Sequence, residues 1–334
     1  MINLSKRLKQ PIPLIYDGGF GSELFAKGIE LANSSMANEL NPEAVVDIHC
    51  AYIEAGADVI GTNTFVGSSL HLKMAGKDEK GSDRMVQLAV EHAKKAVEKS
   101  EKETYIAGSI GPSPGAIEAD SGDTVFGIPN QVVRDAHESV ANILAEGGVD
   151  CFCIETMFSA KEAAIVVDVV RKFGLPIAVN LTYKYTKDKT TGKVTYKTDW
   201  GHSATDLLDA FSGGEFSGGD NLLEHVQILG LNCGAESRKD AHTGMPYAIN
   251  GTRQLREAME VKQISPKRIM AYPNAGMPRL DKQLKTYYTQ SPKDMANHVS
   301  SLLNEGAYFI GGCCGTSPAH IRAFRLALGK HLKK

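Results

Sequence analysis

Three of the six cysteines in this 334-residue chain stand where thiols could share one metal ion. Cys233 ends the run Gly230-Leu-Asn-Cys233, and Cys313 and Cys314 sit side by side in Gly311-Gly-Cys-Cys-Gly315. Soft thiolates suit zinc, and three protein ligands leave one tetrahedral position open, as a catalytic zinc site requires. Adjacent residues on a regular strand face opposite ways. Cys313 and Cys314 can therefore share a metal only where the backbone turns, and Gly311, Gly312 and Gly315 permit a turn. The spacing alone equally fits a buried thiol pair without metal, or an adjacent disulfide acting as a redox switch. Cys50, within a helical pattern, and Cys151 and Cys153, two apart in an apolar run, read as small buried hydrophobes.

Thiols so far apart in sequence need elements that converge. Short apolar runs alternate with helical ones. Strands are predicted at 13–17, 58–63, 105–110, 150–155, 176–182, 226–233, 268–273 and 308–312. Helices are predicted at 43–55, 84–99, 132–145, 160–173, 253–262, 292–303 and 318–332. Several strand runs lack polar/apolar alternation, which suits a parallel sheet buried on both faces. The joints Glu54-Ala-Gly-Ala-Asp58, Glu146-Gly-Gly-Val-Asp150 and Glu305-Gly-Ala-Tyr308 each place Gly just after a helix, where it supplies a left-handed cap. One unit is being reused, with right-handed crossovers.

Eight such units predict a closed (β/α)8 TIM barrel, typically about 250 residues long, forming one domain over 1–334. The surplus length goes to long βα loops. Residues 67–83 and 183–220 read as irregular, the second with a turn at Thr191-Gly192 and a flexible tip at 213–219. The rival fold, a doubly wound open sheet, needs a nucleotide-binding fingerprint after its first strand. Asp17-Gly-Gly-Phe-Gly-Ser-Glu23 does not match it, and no clear helix is predicted directly after it.

Barrel active sites lie at the C-terminal ends of the strands. Those ends carry Asp17-Gly18-Gly19, Thr62-Asn63-Thr64, Gly111-Pro112, Glu155-Thr156, Asn180 with Thr182, Asn232-Cys233, Pro273-Asn274 and Cys313-Cys314. Polar and thiol groups thus gather at one end of every strand. The remaining composition narrows the function classes. With 37 Lys+Arg against 39 Asp+Glu, the net charge of −2 argues against nucleic-acid binding through a basic surface. No apolar run reaches the roughly 18–20 residues of a membrane helix. The N-terminal stretch lacks the apolar core and cleavage site of a signal peptide. A soluble, cytoplasmic protein in a reducing compartment is expected, and an oligomer is compatible with the composition.

Asp17-Gly-Gly-Phe-Gly, Thr62-Asn-Thr-Phe65, Gly108-Ser-Ile-Gly-Pro112, Glu155-Thr156, Gly230-Leu-Asn-Cys233, Pro273-Asn-Ala-Gly276 and Gly311-Gly-Cys-Cys-Gly-Thr316 together resemble the homocysteine S-methyltransferase family, in order, from about residue 12 to 330. Pro273-Asn-Ala-Gly276 and Gly315 are most similar to the homocysteine-binding module of cobalamin-dependent methionine synthase. No residues remain for that enzyme's folate or cobalamin modules.

The resemblance implies a TIM barrel and a Zn²⁺ held by Cys233, Cys313 and Cys314. It also implies an open position for the homocysteine sulfur. A free thiol is mostly protonated at neutral pH, whereas a metal-bound one is deprotonated. Attack on a methyl carbon would then yield methionine. Asp17 and Glu155 are the implied partners of the substrate ammonium. The backbone N–H groups of Gly18 and Gly19, with Thr64, are candidates for its carboxylate, and Asn274 for a place beside the metal. His202 reads as a loop histidine.

The methyl donor is less legible: S-methylmethionine, S-adenosylmethionine, betaine or a methylated corrinoid protein all fit. A cationic donor wants aromatic faces, for which Tyr183, Tyr185, Trp200 and Tyr272 are available. The alternative reading is a barrel that binds an amino acid or a corrinoid protein without turnover.

Overall fold

The computed structural model describes residues 2–234 and 239–333. Eight parallel strands line one sheet: β1 (Leu14–Ile15), β2 (Val59–Gly61), β3 (Tyr105–Ile110), β4 (Cys151–Met157), β5 (Ile177–Leu181), β6 (Ile228–Cys233), β7 (Arg268–Pro273) and β8 (Ala307–Ile310). Each pairs with its chain neighbour, and β8 pairs with β1. A parallel bridge between Tyr16 and Val59 joins β1 to β2, and the Asp58 N–H donates to the Ile15 carbonyl at 2.7 Å. The sheet therefore closes into the TIM barrel expected from the repeated unit.

The repeated joint has a physical reason. Gly56, Gly148 and Gly306 adopt φ of +106°, +79° and +102°, a left-handed turn that glycine takes without steric cost. The residue that follows the turn then serves the next strand over. Asp58 Oδ2 accepts from the Ile15 N–H, and Asp150 Oδ2 accepts from the Ile106 N–H, each at 2.7 Å. The same device uses Gln227, whose Oε1 accepts from the Ile177 N–H at 2.9 Å. Strands β1, β3 and β5 thus enter the sheet with an early donor satisfied, which fixes register at the end of the barrel opposite the site.

Two cores result. Inside the barrel lie Leu14, Tyr16, Val59, Tyr105, Cys151, Cys153, Met270, Tyr272 and Phe309, joined by Leu4 of the short helix Leu4–Arg7 and by Leu8, which caps it. Between strands and helices lies a larger shell that includes Ile15, Ile60, Phe152, Leu229 and Phe324. Cys151 and Cys153 are ordinary buried core, as their spacing predicts.

Several loops are more ordered than the sequence pattern implied. Helix Phe20–Ala26 follows β1 almost at once, where no clear helix was expected. Residues 67–83 hold helix Ser69–Met74 and the start of Glu79–Ser100, the latter capped by Asp78. Within 183–220 the turn near Thr191-Gly192 closes a hairpin of Lys184–Lys187 and Val194–Lys197. It is followed by helix Ala204–Ser212, which a Ser203/Asp206 capping box starts. The tip at 213–219 is a turn held down by Arg134, which donates to the Phe216 carbonyl at 2.9 Å. The helix expected at 253–262 begins at Gly244. Pro246 and Gly251 disguised it, yet Pro is tolerated in a first turn. A Cβ at Gly251 would stand 2.8 Å from Leu231, so glycine lets the helix lie close on β6. The predicted helix 292–303 divides into Pro292–Ala296 and Val299–Asn304. A second hairpin, Pro278–Leu280 with Thr286–Tyr288, follows β7.

Candidate active site and metal centre

The sulfurs of Cys233, Cys313 and Cys314 all lie within 4.8 Å of one another, and no other such trio of metal-capable side chains exists among the described residues. Backbone geometry brings them there. Cys233 ends β6 at φ +58°, a left-handed conformation uncommon for a residue with a side chain. The turn after β8 is stitched between its neighbours: the Gly312 N–H donates to the Asp17 carbonyl and the Cys313 N–H to the Pro273 carbonyl, both at 2.9 Å. The Ala275 N–H donates to the Cys314 carbonyl, also at 2.9 Å. Gly315 then reverses at φ +77°.

The trio fits a zinc ion. Tetrahedral zinc–thiolate geometry, with bonds near 2.3 Å, spaces sulfurs about 3.8 Å apart, so small side-chain adjustments suffice. Beside it, Asn274 is buried and its Oδ1 has no hydrogen-bond partner, an orphan expected beside a cation or an incoming donor. Hydrogen bonding from Cys233 and Cys313 holds Cys314 well below the usual thiol range, while the same contacts push Cys313 up.

Two acids share the same floor. Glu155, in β4, accepts from Ser109 Oγ on one oxygen and from the Tyr272 hydroxyl at 3.1 Å on the other. Burial raises its pKa to about 7, against the lowering effect of those two donors. Asp17 is also pushed well above the carboxylate range, first by burial and then by the nearby Glu155 charge, although the Gly61 N–H donates to it at 2.8 Å. Asn232 ties acid to thiol. Its Oδ1 accepts from the Thr156 N–H at 2.9 Å and its Nδ2 donates to Thr156 Oγ1 at 2.7 Å. Nδ2 also lies 3.4 Å from Glu155 Oε2 and 4.0 Å from Cys313 Sγ. Thr156 itself sits at φ +57°, a costly conformation for a β-branched residue. Thiols and acids face one cavity of about 1710 Å³ at the C-terminal end of the barrel.

Residues 14–328 match the sequence profile of the homocysteine S-methyltransferase family. The chain belongs to that family. It is therefore a methyltransferase, and methyl transfer to homocysteine is the activity its family supports. Homocysteine S-methyltransferase 2 of Zea mays is 27% identical over 342 residues, covering 96% of this chain and 91% of the relative. Homocysteine S-methyltransferase 4 of the same plant is 25% identical, covering 94% and 89%. Among solved structures, the metallated form of the homocysteine methyltransferase MmuM from Escherichia coli superposes with a TM-score of 0.69. It is 21% identical, covers 97% of this chain and 98% of its own, and shows the same fold.

The residues singled out from the sequence of this methyltransferase do not all reach the cavity. Asp17, Gly18, Gly19, Glu155, Cys233, Cys313 and Cys314 line it. Gly19 does so with its N–H already spent on Thr316 Oγ1 at 3.0 Å, so that amide does not offer the carboxylate grip expected of it. Thr64 is placed elsewhere. It is buried, donates to the Ser109 carbonyl at 2.6 Å and pairs with Thr62 at 2.7 Å, which braces the ends of β2 and β3. Asn274 is buried against Cys233 instead of facing the open cavity. His202 accepts from the Ala160 N–H at 3.0 Å and so anchors a loop on a helix start. Of the four aromatics considered, Trp200 and Tyr272 line the cavity, whereas Tyr183 is packed away and Tyr185 stacks on His242 with centroids 4.0 Å apart. Ser109 and Tyr288 are site residues that sequence reasoning passed over, and Asn232 was named there only as a polar strand end without a role. Ser109 and Asn232 stand inside the quoted family blocks. Tyr288 had no signal, because its hairpin was not foreseen.

Proposed function

We propose that this chain is a zinc-dependent S-methyltransferase that moves a methyl group to the thiol of L-homocysteine and releases methionine. The observation that carries the reading is the convergence of Cys233, Cys313 and Cys314 beside the orphaned Asn274 Oδ1. Bound zinc would be held by the three cysteines and would keep an incoming thiol deprotonated at neutral pH.

The chain's own groups do the rest. Glu155 and Asp17 are two buried acids whose raised pKa values make a second negative charge costly, so an ammonium placed between them is stabilised by the charge they can carry. On this reading the α-amino group of the substrate lies at the ends of β4 and β1, with its side chain directed at the thiols. Ser109, Tyr272 and Asn232 hold the Glu155 carboxylate in one orientation. Fixing amino group and sulfur together aligns the sulfur for in-line attack on a methyl carbon, the positional effect that converts a bimolecular step into a local one. The sulfur–carbon bond forms as the donor's carbon–heteroatom bond breaks, and the bonding pair leaves with the demethylated donor.

We read residues 1–334 as one barrel domain, working in the cytoplasm as part of methionine biosynthesis; no helix among the described residues is long and apolar enough to cross a membrane. The donor is S-methylmethionine, S-adenosylmethionine, betaine or a methylated corrinoid protein. Trp200 and Tyr272 support a cationic small donor, since ring faces attract such charge. The test is to incubate zinc-loaded protein with homocysteine and each donor in turn. Methionine from one donor is the expected result. None from any donor, with homocysteine bound, would establish a binding barrel without turnover.

A further inference from the structure

The cavity has a second polar wall, built by the loops that follow β3 and β4. Asp120, in the short helix Glu118–Ser121, lines it. The Asp120 side chain is only 2% exposed, and neither of its carboxylate oxygens has a hydrogen-bond partner. A buried carboxylate is ordinarily paired. The basic groups nearby do not serve it. Lys161 Nζ donates instead to the Ala119 carbonyl at 2.6 Å. His202 Nε2 stands 3.9 Å from Oδ1, beyond hydrogen-bond reach, and burial lowers the pKa of that ring. The neighbouring acid, Glu162, shows the contrast. It accepts from the Ser113 N–H at 2.7 Å and lies 3.1 Å from His137 Nε2.

A cation that brings its own hydrogens would complete Asp120. A carboxylate only accepts, so two unpartnered oxygens call for N–H groups, which a primary ammonium has and a quaternary one lacks. Burial raises the pKa of Asp120, a cost that a bound cation offsets. Trp200, two residues before His202, adds an aromatic ring to the same cavity, and ring faces attract onium charge. The spacing suits two small molecules end to end. Ser109 Oγ donates to Glu155, and four residues later the Ser113 N–H donates to Glu162. Four residues of chain span at most about 14 Å. Two short amino acids laid sulfur to methyl, with reacting atoms about 3–3.5 Å apart, bridge a gap of that order.

We infer that Asp120 binds an ammonium group carried by the methyl donor, so that the donor is itself an amino-acid sulfonium and the cavity holds two amino acids at once. The inference rests on the reading above, in which homocysteine takes the methyl group and sets its own ammonium between Glu155 and Asp17. The transfer balances. Homocysteine loses its thiol proton on becoming a thiolate, and its lone pair forms the new S–CH₃ bond. The sulfonium C–S bond breaks, and its electron pair stays on the donor sulfur, which leaves as a neutral thioether.

The test follows methionine formation by zinc-loaded wild type and Asp120→Asn. One donor is S-methyl-L-methionine or S-adenosyl-L-methionine, whichever reacts faster; the other is dimethylsulfoniopropionate, a sulfonium acid with no amino group. The KM for the amino-acid donor should rise roughly 10- to 150-fold in the variant, as loss of a hydrogen bond between charged groups requires. The KM for homocysteine should hold, and dimethylsulfoniopropionate should be used poorly and equally by both proteins. An unchanged donor KM, an equal rise in the homocysteine KM, or transfer from betaine alone would overturn the inference. Should Asp120→Asn fail to fold, wild type decides: a kcat/KM for the amino-acid donor at least about tenfold above that for dimethylsulfoniopropionate supports it, and equal values refute it. If no donor yields methionine, the proposed transfer fails separately, and calorimetry still tests Asp120. S-Methyl-L-methionine should bind homocysteine-saturated wild type at least about tenfold more tightly than the variant, and equal affinities would overturn the assignment.

Discussion

Replacing Glu155 with Gln should cost homocysteine binding far more than turnover, and it should weaken a pH dependence. Glu155 accepts from Ser109 on one oxygen and from Tyr272 and Asn232 on the other. An amide keeps one acceptor and turns its NH₂ toward two donors. Tyr272 has a way out, since its hydroxyl also lies 3.5 Å from Cys153 Sγ. The loss is therefore mainly that of the charged partner of the substrate ammonium, about 1.5–3 kcal/mol for a hydrogen bond to a charged group. That corresponds to a roughly 10- to 150-fold weaker Kd.

The pH dependence follows from the raised pKa of Glu155, about 7 in the free protein. Burial favours its neutral form, so the carboxylate that an ammonium needs exists mostly above that value. Affinity should fall about tenfold per pH unit below it. Methionine is the right probe, because it has the amino group but no thiol to titrate. Calorimetric titration of methionine between about pH 5.5 and 8 should show this limb in wild type and a smaller one in Glu155→Gln, where Asp17 is the buried acid that remains. A flat wild-type profile, or a limb of wild-type size in the variant, would refute the assignment of Glu155 to the ammonium.

Other perturbations separate structural from binding roles. Asn232→Ala leaves Thr156 unsupported at φ +57°, and should lower stability by about 1–3 kcal/mol, the cost of an unsatisfied buried group, in denaturant unfolding. Thr64→Val removes a buried hydrogen bond outside the cavity, so it should lose about 1 kcal/mol of stability while the KM for homocysteine stays at the wild-type value. Gly315→Ala strains φ +77° and drives a methyl into the Tyr288 ring. It should reduce zinc content as well as turnover, which metal analysis by emission spectroscopy would reveal.

The barrel was legible because its signals are local. Strands β3 and β7 begin and end where the apolar runs do, and the glycines at 56, 148 and 306 do mark the left-handed joints. Elements whose reason is tertiary were hidden. Gly251 weakens a helix in isolation, yet it is explained by Leu231 on the facing strand. Helix Ala204–Ser212 is held by buried Leu207, Leu208 and Phe211, within a stretch whose glycines and lysines suggested a loop. The site divides in the same way. Cysteine spacing and strand ends pointed to the three thiols and to Glu155. Thr64, at an equally promising strand end, turned its hydroxyl to a neighbouring carbonyl, a choice that only the packed sheet decides. Tyr288 arrives on a hairpin whose short strands are too exposed to leave an apolar pattern.

The central claim is that Cys233, Cys313 and Cys314 hold one metal together, and metal content answers it most directly. Wild-type protein purified with zinc and dialysed should retain about one zinc per chain, and Cys233→Ala should retain almost none while keeping its fold. Wild-type protein without stoichiometric zinc, or a Cys233→Ala protein that binds it as tightly, would contradict the account.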